Sequence, residues 1–211
     1  MAHCFEAGIY TGKAAGCDHG EVLEKPLDNW LDLLMAPKDI EGNPFPMTYK
    51  VEKSPVLRIH PVSGELVEIP DLYVLVRDRD GKVLGTPVKG SYQPYQVAQA
   101  VQWCQPLVDS GLWTFENLIS LKGGEVFVVL LKRNEMELIP GDKYLEFTLI
   151  AGNFQGNCCN YLLDTNIRVE CNNMLTAALF GAEFKHRIPH FNGIIPKMED
   201  LQALYLSQIE E

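Results

Sequence analysis

Hydrophobic and polar residues alternate with two different periods along this chain, and the sharpest change of period lies within residues 144–180. Leu145, Phe147 and Leu149 share one side of an extended run, with Glu146 and Thr148 on the other. A period of two is expected of a half-buried strand. After a Gly/Asn-rich polar stretch at 152–159, Ile167, Val169 and Cys171 alternate with Asn166, Arg168 and Glu170, which predicts a second strand over 164–171. Met174, Leu175, Ala178 and Leu179 then follow at helical spacing. Asn172 stands where the N-cap of that helix is expected, with Asn173 beside it.

The same reading applied from the N-terminus predicts a short amphipathic helix over 26–35, striped by Leu27, Trp30, Leu31, Leu34 and Met35. A Pro/Gly-rich loop follows at 37–46. Short strands are expected at 48–52, 56–60 and 65–69. Runs at 72–77 and 82–89 flank Asp80-Gly81, a hairpin signal. A helix opening at Pro94 carries Val97, Val101, Cys104 and Val108 on one side, with Pro106 expected to kink or end it and Gly111 to close it. A second hairpin spans 112–121 and 125–133 around Lys122-Gly123-Gly124. Its run 126–131 is apolar throughout, as in a strand covered on both faces. Residues 181–193 read as loop. Met198, Leu201, Leu204, Tyr205 and Ile209 mark a last amphipathic helix, whose stripe needs either the core or a second subunit.

These elements predict one α+β domain with a mainly antiparallel sheet and a few packed helices. An N-terminal extension with a short helix (1–46), a core (47–190) and a C-terminal amphipathic helix (191–211) divide the chain. A homo-oligomer through the last helix is a further expectation.

Composition changes this picture little. The 211 residues are 46% hydrophobic and 22% charged, ordinary for a globular protein. No apolar run reaches the ~20 residues of a membrane span. The first residues lack the pattern of a signal peptide, so a cytoplasmic protein is expected. The formal net charge of -10 argues against a surface coated for duplex DNA, but leaves room for a local basic groove. The cysteines are expected to be reduced thiols, with Cys104 and Cys171 as small apolar residues.

Three segments together resemble a known family: VRDRDGKVLG leading to KGSYQPYQ, GLWTFENLISLKGGEVFVVLLKR, and LEFTLIAGNFQG followed by IRVECNNMLTAA and the basic KHR. Their order is similar to the phage/plasmid-like proteins of domain-of-unknown-function family 932. The likeness covers about residues 66–190 and is carried most specifically by Tyr92-Gln93-Pro94, Gly123-Gly124, Arg168 and Cys171-Asn172-Asn173. Members are often longer at the C-terminus, so this chain resembles a compact version. The resemblance implies a mobile-element role in a bacterial host cytoplasm and names no reaction.

The chain holds no P-loop, G-x-G-x-x-G, H-E-x-x-H, G-x-S-x-G or paired C-x-x-C, so no cofactor or hydrolytic machinery is expected. His3, Cys4, Cys17 and His19 lack zinc spacing, as do Cys158, Cys171, His186 and His190; no metal is expected. A Cys159/His186 nucleophile would define an enzyme of unrecognised type. A protein-binding antagonist of a host defence or replication factor is another reading, since acidic proteins can cover basic surfaces. The first expectation is single-stranded nucleic-acid binding or annealing, without membrane association. Lys122, Lys132, Arg133, Arg168, Lys185 and Arg187 supply charge; Tyr92, Tyr95, Phe154 and Tyr161 are expected to stack bases. The expected surface joins the 152–159 loop (Asn153, Gln155) to Arg168, Asn172 and Asn173, with Lys185 and His186 at the rim.

Overall fold

A computed structural model describes residues 27, 29–39, 43–133, 145–182, 185–191 and 193–207, and the backbone of strands at 5–8, 136–139 and 142–144. The apolar run at 126–131 nucleates the architecture, because a strand apolar on both sides must be covered on both sides. It forms β6 (Val126–Arg133), central in a six-stranded sheet with β1 (Phe5–Gly8), β5 (Trp113–Leu121), β9 (Phe147–Asn153), β10 (Asn160–Thr165) and β11 (Lys185–Ile188). The order is β1-β5-β6-β9-β10-β11, and every neighbouring pair is antiparallel.

Alternation along β6 assigns the two faces. Phe127, Val129 and Leu131 join the larger core, with α2 (Val97–Asp109), α1 (Trp30–Met35) and α4 (Ile194–Ser207). Val126, Val128 and Leu130 join a second core beneath α3 (Asn172–Gly181). Gly152, opposite Phe127 in β9, belongs to the larger core. A Cβ there would lie 1.9 Å from Phe127 ring carbons, so the ring occupies the place of the missing side chain. The fold is a single α+β domain built on antiparallel sheets.

A second antiparallel sheet, β2 (Val51–Ile59), β3 (Leu66–Arg77) and β4 (Val83–Val88), extends the larger core through Val51, Leu75, Leu84 and Val88. Strands expected separately at 48–52 and 56–60 are one strand; those at 65–69 and 72–77 also fuse, across Pro70 and Asp71 (φ 54°). Gln96 ties α2 to this sheet: its Oε1 accepts from Val51 N–H (2.9 Å), and its Nε2 donates to the Val51 carbonyl (3.0 Å). Pro106 does not end α2, because the turn beyond it buries Leu107 and Val108. That burial offsets the single backbone bond lost to proline. A two-stranded ribbon, β7 (Met136–Ile139) with β8 (Asp142–Tyr144), completes the strands.

Two sequence expectations shift. The strand placed at 164–171 is β10, which starts four residues earlier and ends six residues earlier; residues 166–171 instead cross beneath the sheet. A bulge between Phe115 and Asn117 turns Asn117 toward that crossing segment, where Nδ2 donates to the Val169 carbonyl at 2.9 Å. Val169 is fully buried there, so an alternating pattern arises without strand pairing. Within the stretch read as loop, 181–193, lies β11, paired with β10.

Three residues of the C-terminal stripe are covered within the chain; Leu204 is exposed, and Ile209 lies outside the described residues. Trp103 Nε1 donates to the Met198 carbonyl (2.6 Å), and Met198, Leu201 and Tyr205 are buried against the larger core.

Candidate nucleic-acid interface

β6, β9 and β10 end side by side, and their pairing register decides what meets there. Val126 stands opposite Asn153, and Ala151 opposite Tyr161. A 3-10 turn at Lys122–Gly124 closes the β5–β6 hairpin over this end, and α3 runs beneath it. Between them lies a cleft of about 180 Å³, lined among others by Lys122, Asn153, Gln155, Cys158, Tyr161, Asn172 and Thr176.

Gly85 sets the loop that carries Gln155. It has φ +62°, and a Cβ on it would lie 2.4 Å from Gln155 Cα. The main chains can therefore approach closely, and Thr86 N–H (3.0 Å) and Oγ1 (2.8 Å) both donate to the Gln155 carbonyl. On the other side, the Asn153 N–H donates to Asn160 Oδ1 (3.0 Å), and the Asn153 carbonyl accepts from Tyr92 OH (3.0 Å).

The polar side chains of the cleft are linked. Gln155 Nε2 donates to Glu125 Oε2 (2.9 Å), the Gln155 N–H donates to Asn153 Oδ1 (2.7 Å), and Asn153 Nδ2 donates to Gln155 Oε1 (3.3 Å). Tyr161 forms a half-exposed wall. A hydrogen bond with Cys159, then burial, raises its phenol pKa, while the Arg187 charge works the other way. Arg187 faces Tyr161 across the β10–β11 pair and is exposed, so Arg187 and Lys122 stand at opposite sides of the cleft as cations.

The expected site residues separate into groups. Asn153, Gln155 and Asn172 meet in the cleft; Asn173 is exposed next to it on α3. Asn172 is the first helical residue and Cys171 the N-cap, a correction of one position to the cap expected from the sequence. Lys185 donates Nζ to the Leu179 carbonyl (2.6 Å), closing the C-terminal end of α3. Arg168 is no free cation: Nε lies 2.6 Å from Glu116 Oε1 and Nη1 2.8 Å from Glu170 Oε1. Glu116 adjoins the bulge facing Leu130–Leu131, about 15 Å along β6 from the cleft. Lys132 and Arg133 close the far end of β6, where Arg133 pairs with Glu146 (3.0 Å) and stacks over Trp113.

Of the four aromatic residues expected to stack bases, Tyr92, Tyr95 and Phe154 are buried and only Tyr161 is accessible. Tyr92 packs face to face with His190, ring centroids 4.3 Å apart. Burial drives the Tyr92 phenol pKa well up and lowers that of His190. Both act as supports behind Asn153.

Cys159 directly precedes β10 and stands two residues before Tyr161, so alternation gives the two the same side. His186 stands opposite Leu162, a residue of the other core, so alternation puts Cys159 and His186 on opposite faces. Among the described residues, no three His, Cys, Asp or Glu side chains are grouped to hold a metal ion; His3, Cys4, Cys17 and His19 lie outside them. No described helix is long and apolar enough to cross a membrane, which says nothing of β-barrels.

Thr176, which lines the cleft, and Glu125, which accepts from Gln155 beside it, are residues that the sequence did not single out. Glu125 follows Gly123-Gly124 directly, and that turn was the one available signal.

No curated protein and no solved structure matches the chain. A family model described as a domain of unknown function, DUF932, matches residues 85–211. The match begins later than the resemblance read from the sequence, extends to the last residue, and contains every residue of the cleft. The chain belongs to the DUF932 family.

Proposed function

We propose that the protein binds single-stranded nucleic acid, with one unstacked nucleotide entering the cleft between α3 and the ends of β6, β9 and β10. The observation that carries this reading is the meeting of three amides and a tyrosine face between two exposed cations. Amides pair with base edges, an accessible aromatic ring stacks on any base, and lysine and arginine meet phosphate. The setting proposed is the DNA metabolism of a phage, plasmid or integrated element within a bacterial cytoplasm.

Fluorescence anisotropy with labelled short single strands tests the reading. Two phosphate contacts give a log-affinity against log-salt slope of about −1.4. Replacing Lys122 and Arg187 together with glutamine is expected to flatten that slope. Absence of binding at low salt would overturn the proposal.

A host-protein antagonist is the second reading. The outer halves of β2 and β3 project as a two-stranded ribbon with Leu57, Ile59, Val62 and Leu66 exposed, a surface suited to protein contact. Loss of a host partner on Ile59→Lys, with single-strand binding absent in the wild type, would favour it.

A further inference from the structure

The hydrogen-bond polarity of the cleft is set from its edges. A carboxylate only accepts, so Glu125 requires Gln155 to turn Nε2 toward it, leaving Oε1 to face Asn153. A main-chain N–H only donates, so the N–H of Gln155 requires Asn153 to turn Oδ1 toward it and Nδ2 toward Gln155 Oε1. Two amides that could otherwise flip are thereby held in one orientation each. Each amide nitrogen retains a second N–H beyond the bond it makes, and both residues line the cleft. Lys122 adds an ammonium group, which has donors and no acceptor. Asn172 makes no side-chain hydrogen bond among the described residues and is free to present either of its ends.

Resting on the single-strand reading, we infer that the cleft selects thymine or uracil and rejects adenine. Thymine and uracil carry two carbonyl acceptors on either side of one N–H. The carbonyls meet the fixed donors of Asn153 and Gln155, with the mobile ammonium of Lys122 beside them, and the ring N–H meets the Asn172 carbonyl. Adenine presents one ring acceptor beside its amino donor on either edge, where thymine and uracil present two carbonyls, so it satisfies one fixed donor and leaves the other unpaired. Tyr161 supplies a stacking face that is indifferent to base identity, so discrimination falls to the amides.

The test compares oligothymidine, oligocytidine and oligoadenosine strands of one length at one salt concentration, with wild-type protein and Glu125→Gln. Glutamine at 125 can donate as well as accept, so Gln155 loses the carboxylate that fixes its Nε2 and keeps only the longer bond from Asn153 (3.3 Å) to hold its orientation. The wild type is expected to bind thymidine strands about tenfold more tightly than adenosine strands, and the variant to narrow that ratio at least threefold. Self-stacking of adenosine strands acts equally on both proteins, so the change in ratio isolates the cleft. Binding without base preference, or a preference unaltered in Glu125→Gln, overturns this inference while leaving the single-strand reading standing. No binding to any strand at low salt overturns both.

Discussion

Replacing Gly85 with alanine tests whether β4 fixes the loop that carries Gln155. Two effects combine. Gly85 has φ +62°, and placing an L side chain in that left-handed region costs about 1–2 kcal/mol. The new Cβ would also lie 2.4 Å from Gln155 Cα, 2.5 Å from the Phe154 carbonyl oxygen and 2.6 Å from the Gln155 carbonyl carbon. All three are main-chain atoms, so no side-chain rotation relieves the contact and the two backbones must separate. Overpacking of this kind costs about 1–3 kcal/mol. The total is about 2–5 kcal/mol, or roughly 4–20 °C in melting temperature for a chain of this size. Gly81→Ala is the control: φ is +70° and no atom lies within 4 Å of its Cβ, so only the conformational cost applies. Urea unfolding followed by tryptophan fluorescence should place Gly85→Ala below Gly81→Ala by about 1–3 kcal/mol. Separation also strains the bonds from Thr86 to the Gln155 carbonyl, so single-strand affinity is expected to fall for Gly85→Ala alone. Equal midpoints for the two variants would refute the close approach as the determinant.

Arg168→Ala leaves Glu116, whose side chain is 9% exposed, without its 2.6 Å partner. The expected loss in urea unfolding is roughly 2–4 kcal/mol, less than for a fully buried pair because Arg168 is itself 26% exposed. Single-strand anisotropy should not change, and a weakened affinity in folded protein would return Arg168 to the binding surface. Asp164 accepts from Thr148 Oγ1 (2.8 Å) and Tyr205 OH (3.1 Å), and burial raises its pKa despite these bonds. A carboxyl with a raised folded pKa contributes stability that is complete below its unfolded pKa, about 4, and is lost as pH rises through the folded value. Asp164→Asn removes that dependence, so the unfolding free energy of the variant minus that of the wild type should grow from about pH 4 to pH 7. A difference constant with pH would count against burial as the cause of the shift.

Much of the frame was legible in residue order. The apolar run at 126–131 demanded a strand covered twice, and β6 lies between two cores. Lys122-Gly123-Gly124 announced the hairpin, with Gly123 and Gly124 at positive φ. The stripe of Met198, Leu201, Leu204, Tyr205 and Ile209 marked a helix with one apolar face, and α4 buries Met198, Leu201 and Tyr205 of it while Leu204 stays exposed. These signals are local: a side-chain period reports which residues share a surface.

Tertiary structure alone decided what each surface meets. The alternation at 166–171 looked like a strand, yet that segment crosses the sheet and buries Val169 without a ladder partner. Arg168 looked like an available charge until two carboxylates, one of them 52 residues away in the chain, neutralised it. Tyr92, Tyr95 and Phe154 looked like stacking surfaces and are core, because aromatic side chains carry no mark of which side of the chain will be covered. Asn153, Gln155 and Asn172 stand together only because the β6–β9–β10 register aligns three strand ends above α3. Register is set by long-range pairing, and so the composition of the cleft was not contained in any single stretch of sequence.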